Sequence, residues 1–189
     1  LIVLLSVAGY AAMGQFHYLH HGVGGQRDGN LAEMTARIAA AAAQTGLGLT
    51  HLPVLDERGG CDGRALAAGQ LRFGNTPEQF AALWQAAQGV LRELPADTIL
   101  GVAPHSLRAA SGAGIALVTG LDSSTPVHIH VAEQMAEVVE VEAEMGARPV
   151  QWLLENQDLS SRWCLIHATQ MQDWETEAMA KSGAIAGLC

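Results

Sequence analysis

The segment PVHIHVAEQ, at residues 126–134, decides the fold. Its β-branched residues predict a buried strand, and successive side chains of a strand point to opposite faces. His128 and His130 therefore share one face, and Glu133 follows shortly after the strand. A single histidine on such a face is most often a hydrogen-bonded core residue, but two of them followed by a carboxylate favour a metal or acid–base site.

Similar apolar strands recur along the chain and alternate with helical segments. The predicted strands cover residues 10–18, 47–55, 99–103, 163–167 and 183–188, besides the one that opens at 127. The predicted helices cover residues 31–45, 76–94, 109–121, 133–145, 149–154 and 171–181. Strands that are apolar on both faces are typical of a parallel sheet covered by helices.

Four of these strands carry a histidine at the carboxyl end, namely His17, His105, His130 and His167. The carboxyl ends of the strands are where a β/α barrel has its active site. A doubly wound sheet would bind ligands there too, but the chain has no G-x-G-x-x-G after a strand and no P-loop. The prediction is therefore an α/β fold of the barrel type.

Four other segments are predicted from local composition. The histidines at positions 17, 20 and 21 run into a glycine-rich loop at 22–29 and are expected to be solvated. The polar segment 56–74 is long for a simple connection, and long loops of compact domains are often functional. The acidic run between Glu137 and Glu144 is expected to be a solvated helix face. The apolar run 1–10 is too short to span a bilayer and is expected to be a buried helix end.

Composition limits the class of partner. The chain has 189 residues, 49% of them apolar, and a formal net charge of −9. The acidic balance excludes nucleic acid and an anionic membrane as expected partners and favours a small molecule. Cys61, Cys164 and Cys189 are widely spaced, which predicts neither a disulfide framework nor a zinc knuckle and fits a reducing, cytoplasmic setting.

The strand-end residues suggest one kind of chemistry. Neutral imidazoles are good zinc ligands, and zinc makes water nucleophilic at neutral pH. A carboxylate such as Glu133 can carry a proton to a leaving amine, so hydrolysis of a C–N bond is the natural reaction class. Arg108 could clamp a carboxylate with two parallel hydrogen bonds, although a surface or helix-capping arginine is an equal alternative.

Several segments together resemble the formimidoylglutamate deiminases of the amidohydrolase superfamily. These are FHYLHH at 16–21, APHSLR at 103–108, HIHVAEQ at 128–134, CLIHAT at 164–169 and SGAIAGLC at 182–189. The similarity runs over nearly all of the chain. The HSLR and FHYLHH pieces point to this family in particular, whereas the strand-five and strand-six motifs occur across the superfamily.

The resemblance implies a (β/α)8 TIM barrel, present only in part as about strands 2 to 7, in a single domain at residues 1–189 that is truncated at both ends. It also implies one zinc ion and hydrolysis of N-formimino-L-glutamate to N-formyl-L-glutamate and ammonia, a step of histidine degradation. The implied substrate is a small molecule with carboxylates, and a homodimer is compatible with the resemblance.

The resemblance also implies roles for single residues. His130 matches the strand-five metal ligand, Glu133 the carboxylate that carries a proton to the departing nitrogen, and His167 the histidine that activates water or polarises the substrate. The implied substrate-binding residues are His105, Arg108 and Tyr18. Strand geometry alone leaves His128 and His130 equivalent, and only the resemblance selects His130.

Two features of the family pattern are missing. The family has a His-x-His pair after strand one and a metal-binding Asp after strand eight, and this chain contains neither in that context. The other zinc ligands are therefore expected outside this chain, and the 189 residues alone are expected to be unstable and inactive. The alternatives are another amidohydrolase deaminase acting on a heterocyclic base, or a non-catalytic remnant.

Overall fold

A computed structural model describes residues 2–27 and 29–189. The strands are β1 (Ala12–His17), β2 (Gly48–Leu55), β3 (Ile99–Leu100), β4 (Ala103–Pro104), β5 (Val127–Val131), β6 (Trp163–His167) and β7 (Ile185–Gly187). The helices are α1 (Ile2–Val7), α2 (Glu33–Thr45), α3 (Pro77–Leu91), α4 (Gly112–Thr119), α5 (Met135–Met145), α6 (Pro149–Asn156) and α7 (Asp173–Ser182). The predicted elements are confirmed, with bounds that shift by a few residues.

The strands are all parallel, and their order in space follows their order in the chain. One sheet has the order β1-β2-β3 with β4 also on β2, and the other has the order β5-β6-β7. Backbone hydrogen bonds join the two, because the N–H of Val102 donates to Pro126 at 3.0 Å and the N–H of His128 donates to Val102 at 3.0 Å. The result is one continuous run of neighbouring strands.

β3 and β4 are two parts of one strand that is interrupted at Gly101 and Val102. The N–H of Gly101 donates to His51 on β2 at 2.9 Å, whereas Val102 bonds to the β5 side. A Cβ atom on Gly101 would lie 2.7 Å from Leu52 Cδ2 and 2.7 Å from the oxygen of Pro126. Only glycine allows these neighbouring strands to approach so closely at this point.

This sequential order is that of a β/α barrel. A doubly wound sheet reverses its strand order at a switch point, and the described strands show no such reversal. The predicted fold class, a TIM barrel present in part, is therefore confirmed. The main core lies between the sheet and the covering helices, where Val127, Ile129, Val131 and Leu165 are completely buried.

Local sequence signals explain where several helices begin and end. Thr76 accepts a hydrogen bond from the N–H of Gln79 at 3.3 Å, and Gln79 Oε1 accepts one from the N–H of Thr76 at 3.1 Å. This is the predicted capping box at the start of α3. Gly46 and Gly146 end α2 and α5 in the left-handed conformation, with φ of 66° and 73°.

The expectation of a buried amino-terminal helix is wrong. Val3, Leu4 and Val7 of α1 are all mainly exposed. Within residues 2–27 and 29–189, no helix has the length and apolar character needed to cross a bilayer. Cys61, Cys164 and Cys189 are free thiols.

Candidate active site at the strand ends

Histidines from three neighbouring strand ends form a row. The ring of His130, on β5, lies between those of His105 and His167, with centroid separations of 5.1 Å and 5.6 Å. The hydroxyl of Tyr18 lies 3.5 Å from His130 Nε2, and Glu133 Oε2 lies 3.7 Å from His167 Nε2. Five of the six residues predicted from the sequence therefore meet at one place.

The surroundings of His130 fit a metal ligand. Its Nδ1 lies 3.1 Å from the main-chain oxygen of His105, and a carbonyl oxygen can only accept a hydrogen bond. The proton therefore sits on Nδ1, which leaves the lone pair of Nε2 directed to the site. Burial lowers the pKa of His130, which favours the neutral ring that a metal ligand needs. Among the described residues, however, no three or more His, Cys, Asp or Glu side chains are grouped to hold a metal ion.

The two turns that carry Glu133 and His167 have unusual backbones. In the described part of the chain, the non-glycine residues with positive φ are Ala132 at 50°, His167 at 71° and Ala168 at 50°. Each such residue costs about 1–3 kcal/mol, and strain of this kind clusters at active sites. The fold therefore keeps strained turns at the point where the two proposed catalytic side chains leave the strands.

A cleft of about 260 Å³ opens beside the row of histidines. Tyr18, His105 and Arg108 line it, so the sixth predicted residue belongs to the same site. The buried Nε of Arg108 has no hydrogen-bond partner within the described residues. Segment 56–74 forms one wall of the cleft with the side chains Asp56, Arg58, Arg64, Gln70 and Phe73. The prediction that this long segment is functional stays a prediction, but its position at the cleft favours it.

Asp56 was not predicted from the sequence. Its Oδ1 lies 4.0 Å from His105 Nδ1, and the Ser106 hydroxyl lies 3.0 Å from the same nitrogen. Burial raises the pKa of Asp56 to about 6 and lowers the pKa of His105 to about 4, where the charges of His130 and Arg108 act in the same direction. Asp56 directly follows β2, so the strand-end rule that selected the histidines would also have found it.

The other histidine of segment 126–134, His128, takes no part in the row. The side chains of His128 and His130 share one face of β5, as predicted, because Val127, Ile129 and Val131 are buried on the other. The ring of His128 lies 5.7 Å from that of Phe16 in an edge-on arrangement. The ring of Phe16 also packs against those of His130, at 4.7 Å, and Tyr18, at 6.4 Å. His128 is a packing residue below the site.

The histidines of the first strand end do not reach the site, and the expectation that they are solvated is wrong. His17, His20 and His21 are buried. The ring of His17 packs against those of His51 at 4.9 Å and His20 at 5.3 Å, away from His130. His20 Nε2 bonds to the oxygen of Val54 at 2.8 Å. Of His17 and Tyr18, the consecutive residues at the end of β1, only Tyr18 lines the cleft.

One member of the acidic run on α5 is also buried. Glu137, which was expected on a solvated face, is 3% exposed. Glu142 and Glu144 are exposed as predicted. The carboxylate of Glu137 turns back to the start of its helix, next to Glu133.

Comparison with known proteins agrees with this geometry. The chain is 46% identical over 184 residues to formimidoylglutamate deiminase of Pseudomonas aeruginosa. The aligned region covers 96% of this chain and 40% of the relative. A solved amidohydrolase structure from Brucella melitensis superimposes with a TM-score of 0.96 at 52% identity, over 99% of this chain and 42% of that one. No protein-family model matches the chain.

A more distant structure shares the fold alone. An adenosine deaminase from Xanthomonas campestris with bound zinc superimposes with a TM-score of 0.66 at 22% identity, over 82% of this chain and 33% of that one. The chain thus spans about two fifths of the length of the relatives it matches well. From the strand order, the row of strand-end histidines and these similarities, we conclude that the chain belongs to the amidohydrolase superfamily.

Proposed function

We propose that the complete protein containing this chain hydrolyses N-formimino-L-glutamate to N-formyl-L-glutamate and ammonia, a step of histidine degradation. The observation that carries the proposal is the position of Arg108, which lines one cleft together with His105 and Tyr18, next to His130. A cleft lined by the guanidinium group of Arg108 suits a substrate that carries carboxylates. The 46% identity to the Pseudomonas enzyme supports the same substrate.

In the proposed reaction, water adds to the amidine carbon of the formimino group, and the bond from that carbon to the terminal nitrogen breaks. Glu133 takes a proton from the water and gives it to the terminal nitrogen; the proton of the new hydroxyl group follows as the C=O bond of the formyl group forms, so that the nitrogen leaves as ammonia. His167, 3.7 Å from Glu133, polarises the substrate or helps to activate the water. Arg108, His105 and Tyr18 hold the glutamate part, so that the amidine carbon is presented to Glu133.

A divalent metal, most simply zinc, is part of the proposal. His130 would be one ligand through Nε2, because its Nδ1 already bonds to His105. When bound, zinc acts as a Lewis acid that makes water a nucleophile at neutral pH. Since the described residues supply no group of three ligands, we expect the 189-residue chain by itself neither to bind zinc tightly nor to release ammonia.

The partner is proposed to be this small carboxylate substrate, without nucleic acid or membrane. The acidic net charge of −9 supports that choice. The cytoplasmic location and the homodimer stay predictions.

The test is ammonia release from N-formimino-L-glutamate by the complete protein, with bound metal measured on the same sample. Arg108→Met should raise the KM by about a hundredfold or more, because a charge-assisted pair to a carboxylate is lost. Arg92→Met, at the exposed end of α3, is the matched control and should leave the KM unchanged. If Arg108→Met kept the wild-type KM and kcat, the substrate would be wrong, and a deaminase of heterocyclic bases would be favoured.

A further inference from the structure

The buried carboxylate of Glu137 holds two consecutive main-chain amides. Its Oε1 accepts a hydrogen bond from the N–H of Ala132 at 3.0 Å, and its Oε2 accepts one from the N–H of Glu133 at 3.0 Å. Glu137 lies in the first turn of α5, so the helix that follows β5 reaches back to fix the turn before it. One carboxylate oxygen thereby holds the backbone of Glu133, the proposed proton carrier, and the other holds the residue before it.

The carbonyl groups of the same turn are held from the other side. The hydroxyl of Thr169 donates to the oxygens of Ala132 at 3.2 Å and Glu133 at 3.0 Å, and the N–H of Gln170 donates to Ala132 at 2.9 Å. Thr169 and Gln170 belong to the turn that follows β6, the strand that ends at His167. The turn with Glu133 and the turn with His167 are therefore bound directly to each other.

Holding is needed here because the backbone would otherwise relax. Ala132 and Ala168 have φ of 50°, and His167 has φ of 71°, a region that costs a non-glycine residue free energy. Such a conformation persists only where its surroundings over-determine it. The hydrogen bonds of Glu137 and Thr169 supply that constraint at Glu133, whose carboxylate must reach the leaving nitrogen.

We infer that Glu137 and Thr169 are positioning residues, which fix the turn carrying Glu133 so that its carboxylate stays beside His167. This inference rests on the proposed function, since it gives Glu133 the role of proton carrier. Glu137 acts through the backbone and does not line the cleft, whereas Arg108 and His105 do. Its loss should therefore lower kcat and leave the KM for the substrate almost unchanged.

The test uses the complete, metal-loaded protein and N-formimino-L-glutamate. Glu137→Ala should lower kcat by about a hundredfold, since a misplacement of about 1 Å in a reacting group has that effect, with less than about a twofold change in KM. Glu137→Gln keeps one acceptor oxygen and should restore part of the rate. Thr169→Val removes only the hydroxyl of an exposed side chain and should lower kcat by about tenfold. Glu142→Ala, exposed on the same helix, is the matched control and should keep the wild-type rate.

A double variant shows whether Glu137 acts through Glu133. Glu133→Gln alone should remove most of the activity, and adding Glu137→Ala should lower kcat by less than about twofold more, because residues that act as a unit are not additive. A full further hundredfold loss would overturn the inference. Retention of full activity in Glu133→Gln would instead overturn the role given to Glu133 under the proposed function.

Amide hydrogen exchange gives a measurement that does not depend on turnover. Peptides that contain the amides of Ala132 and Glu133 should exchange at least about tenfold faster in Glu137→Ala than in the wild type, since both amides lose their acceptor. Unchanged exchange, or a raised KM with an unchanged kcat, would contradict the inference. If Glu137→Ala does not fold, Thr169→Val decides in its place, and a wild-type kcat for that variant counts against the coupling of the two turns.

Discussion

His130 Nδ1 lies 3.1 Å from the main-chain oxygen of His105, so the backbone of one strand end fixes the ring of the next. The bond sets the tautomer of His130 and leaves Nε2 facing the hydroxyl of Tyr18, which lines the cleft. The site is thus built from contacts between neighbouring strands.

The first prediction separates the two histidines of β5. His130→Asn in the complete protein should abolish metal binding and ammonia release, because the neutral Nε2 is lost. His128→Asn, on the same strand face but packed against Phe16, should keep the metal and most of the activity. Metal content after gel filtration, with turnover measured on the same fractions, checks both. Loss of the metal in His128→Asn with its retention in His130→Asn would reverse the assignment.

The second prediction concerns the only two tyrosines of the chain. Tyr18→Phe should raise the KM for N-formimino-L-glutamate by about two- to tenfold, the worth of one hydrogen bond, with little change in kcat. Tyr10→Phe changes an exposed residue and should alter neither constant. Steady-state kinetics of the two variants side by side gives the answer. A fall in kcat at constant KM would assign Tyr18 to the chemical step instead.

The third prediction concerns a buried ion pair near the turn after β6. Arg148 Nε lies 2.8 Å from Glu175 Oε2, and Glu175 is 1% exposed. Arg148→Met leaves that carboxylate buried without its partner and should lower the free energy of unfolding by about 3–5 kcal/mol. Lys181→Met, in a pair with Glu177 at 4.0 Å whose side chains are 79% and 73% exposed, is the control and should cost less than about 1 kcal/mol. Denaturant unfolding of both variants measures the difference, and equal effects would contradict it.

The fourth prediction is a loss of stability in mild acid. Burial lowers the pKa of His17 to about 4 and those of His20 and His51 to about 3, from the ordinary 6.5. Between pH 6.5 and 4 the unfolded chain binds protons that the folded chain does not, so stability falls as the pH falls, by up to about 1.4 kcal/mol per pH unit for each histidine. Asp56 has the opposite effect on stability. Burial raises its pKa to about 6, so as the pH falls the folded chain binds this proton before the unfolded chain does, and the folded state is stabilised.

The measurement is the unfolding midpoint of the complete protein between pH 7.5 and 4.5. His51→Gln removes one of the three groups and should make the decline with falling pH less steep, even if the variant is less stable at neutral pH. The slope, rather than the midpoint, is the quantity to compare. A variant with the same slope as the wild type would mean that His51 does not titrate in this window.

Much of the fold could be predicted because the strands are buried on both faces and each helix has its own start and stop signals. The β6 strand is found at the predicted residues 163–167, and Thr76 caps α3 through the predicted capping box. The site residues on β5 and β6 could be predicted for a related reason, since parallel strands end at the same edge of a sheet. Only their individual roles required the resemblance to a family.

The errors have equally physical causes. His17 and Tyr18 are consecutive, so the alternation of strand side chains already indicates that only one of them can face the site. The burial of His20 and Glu137 could not be read from their surroundings in the sequence. The acceptor for His20 is Val54 on another strand, and Glu137 turns back to the turn before its own helix, within a run that otherwise points to solvent.

The sequential strand order has a consequence for how the protein forms. Ala12 pairs with Gly48 and Val127 pairs with Trp163, so each of these sheet contacts closes a loop made of one strand, the one or two α-helices that follow it, and their connections. Pairings between successive strands form faster than pairings between more distant parts of a chain, because less loop entropy is lost before each contact forms. As the chain leaves the ribosome, each new strand can pair with a strand that has already been made, so the sheet can grow from one side during synthesis.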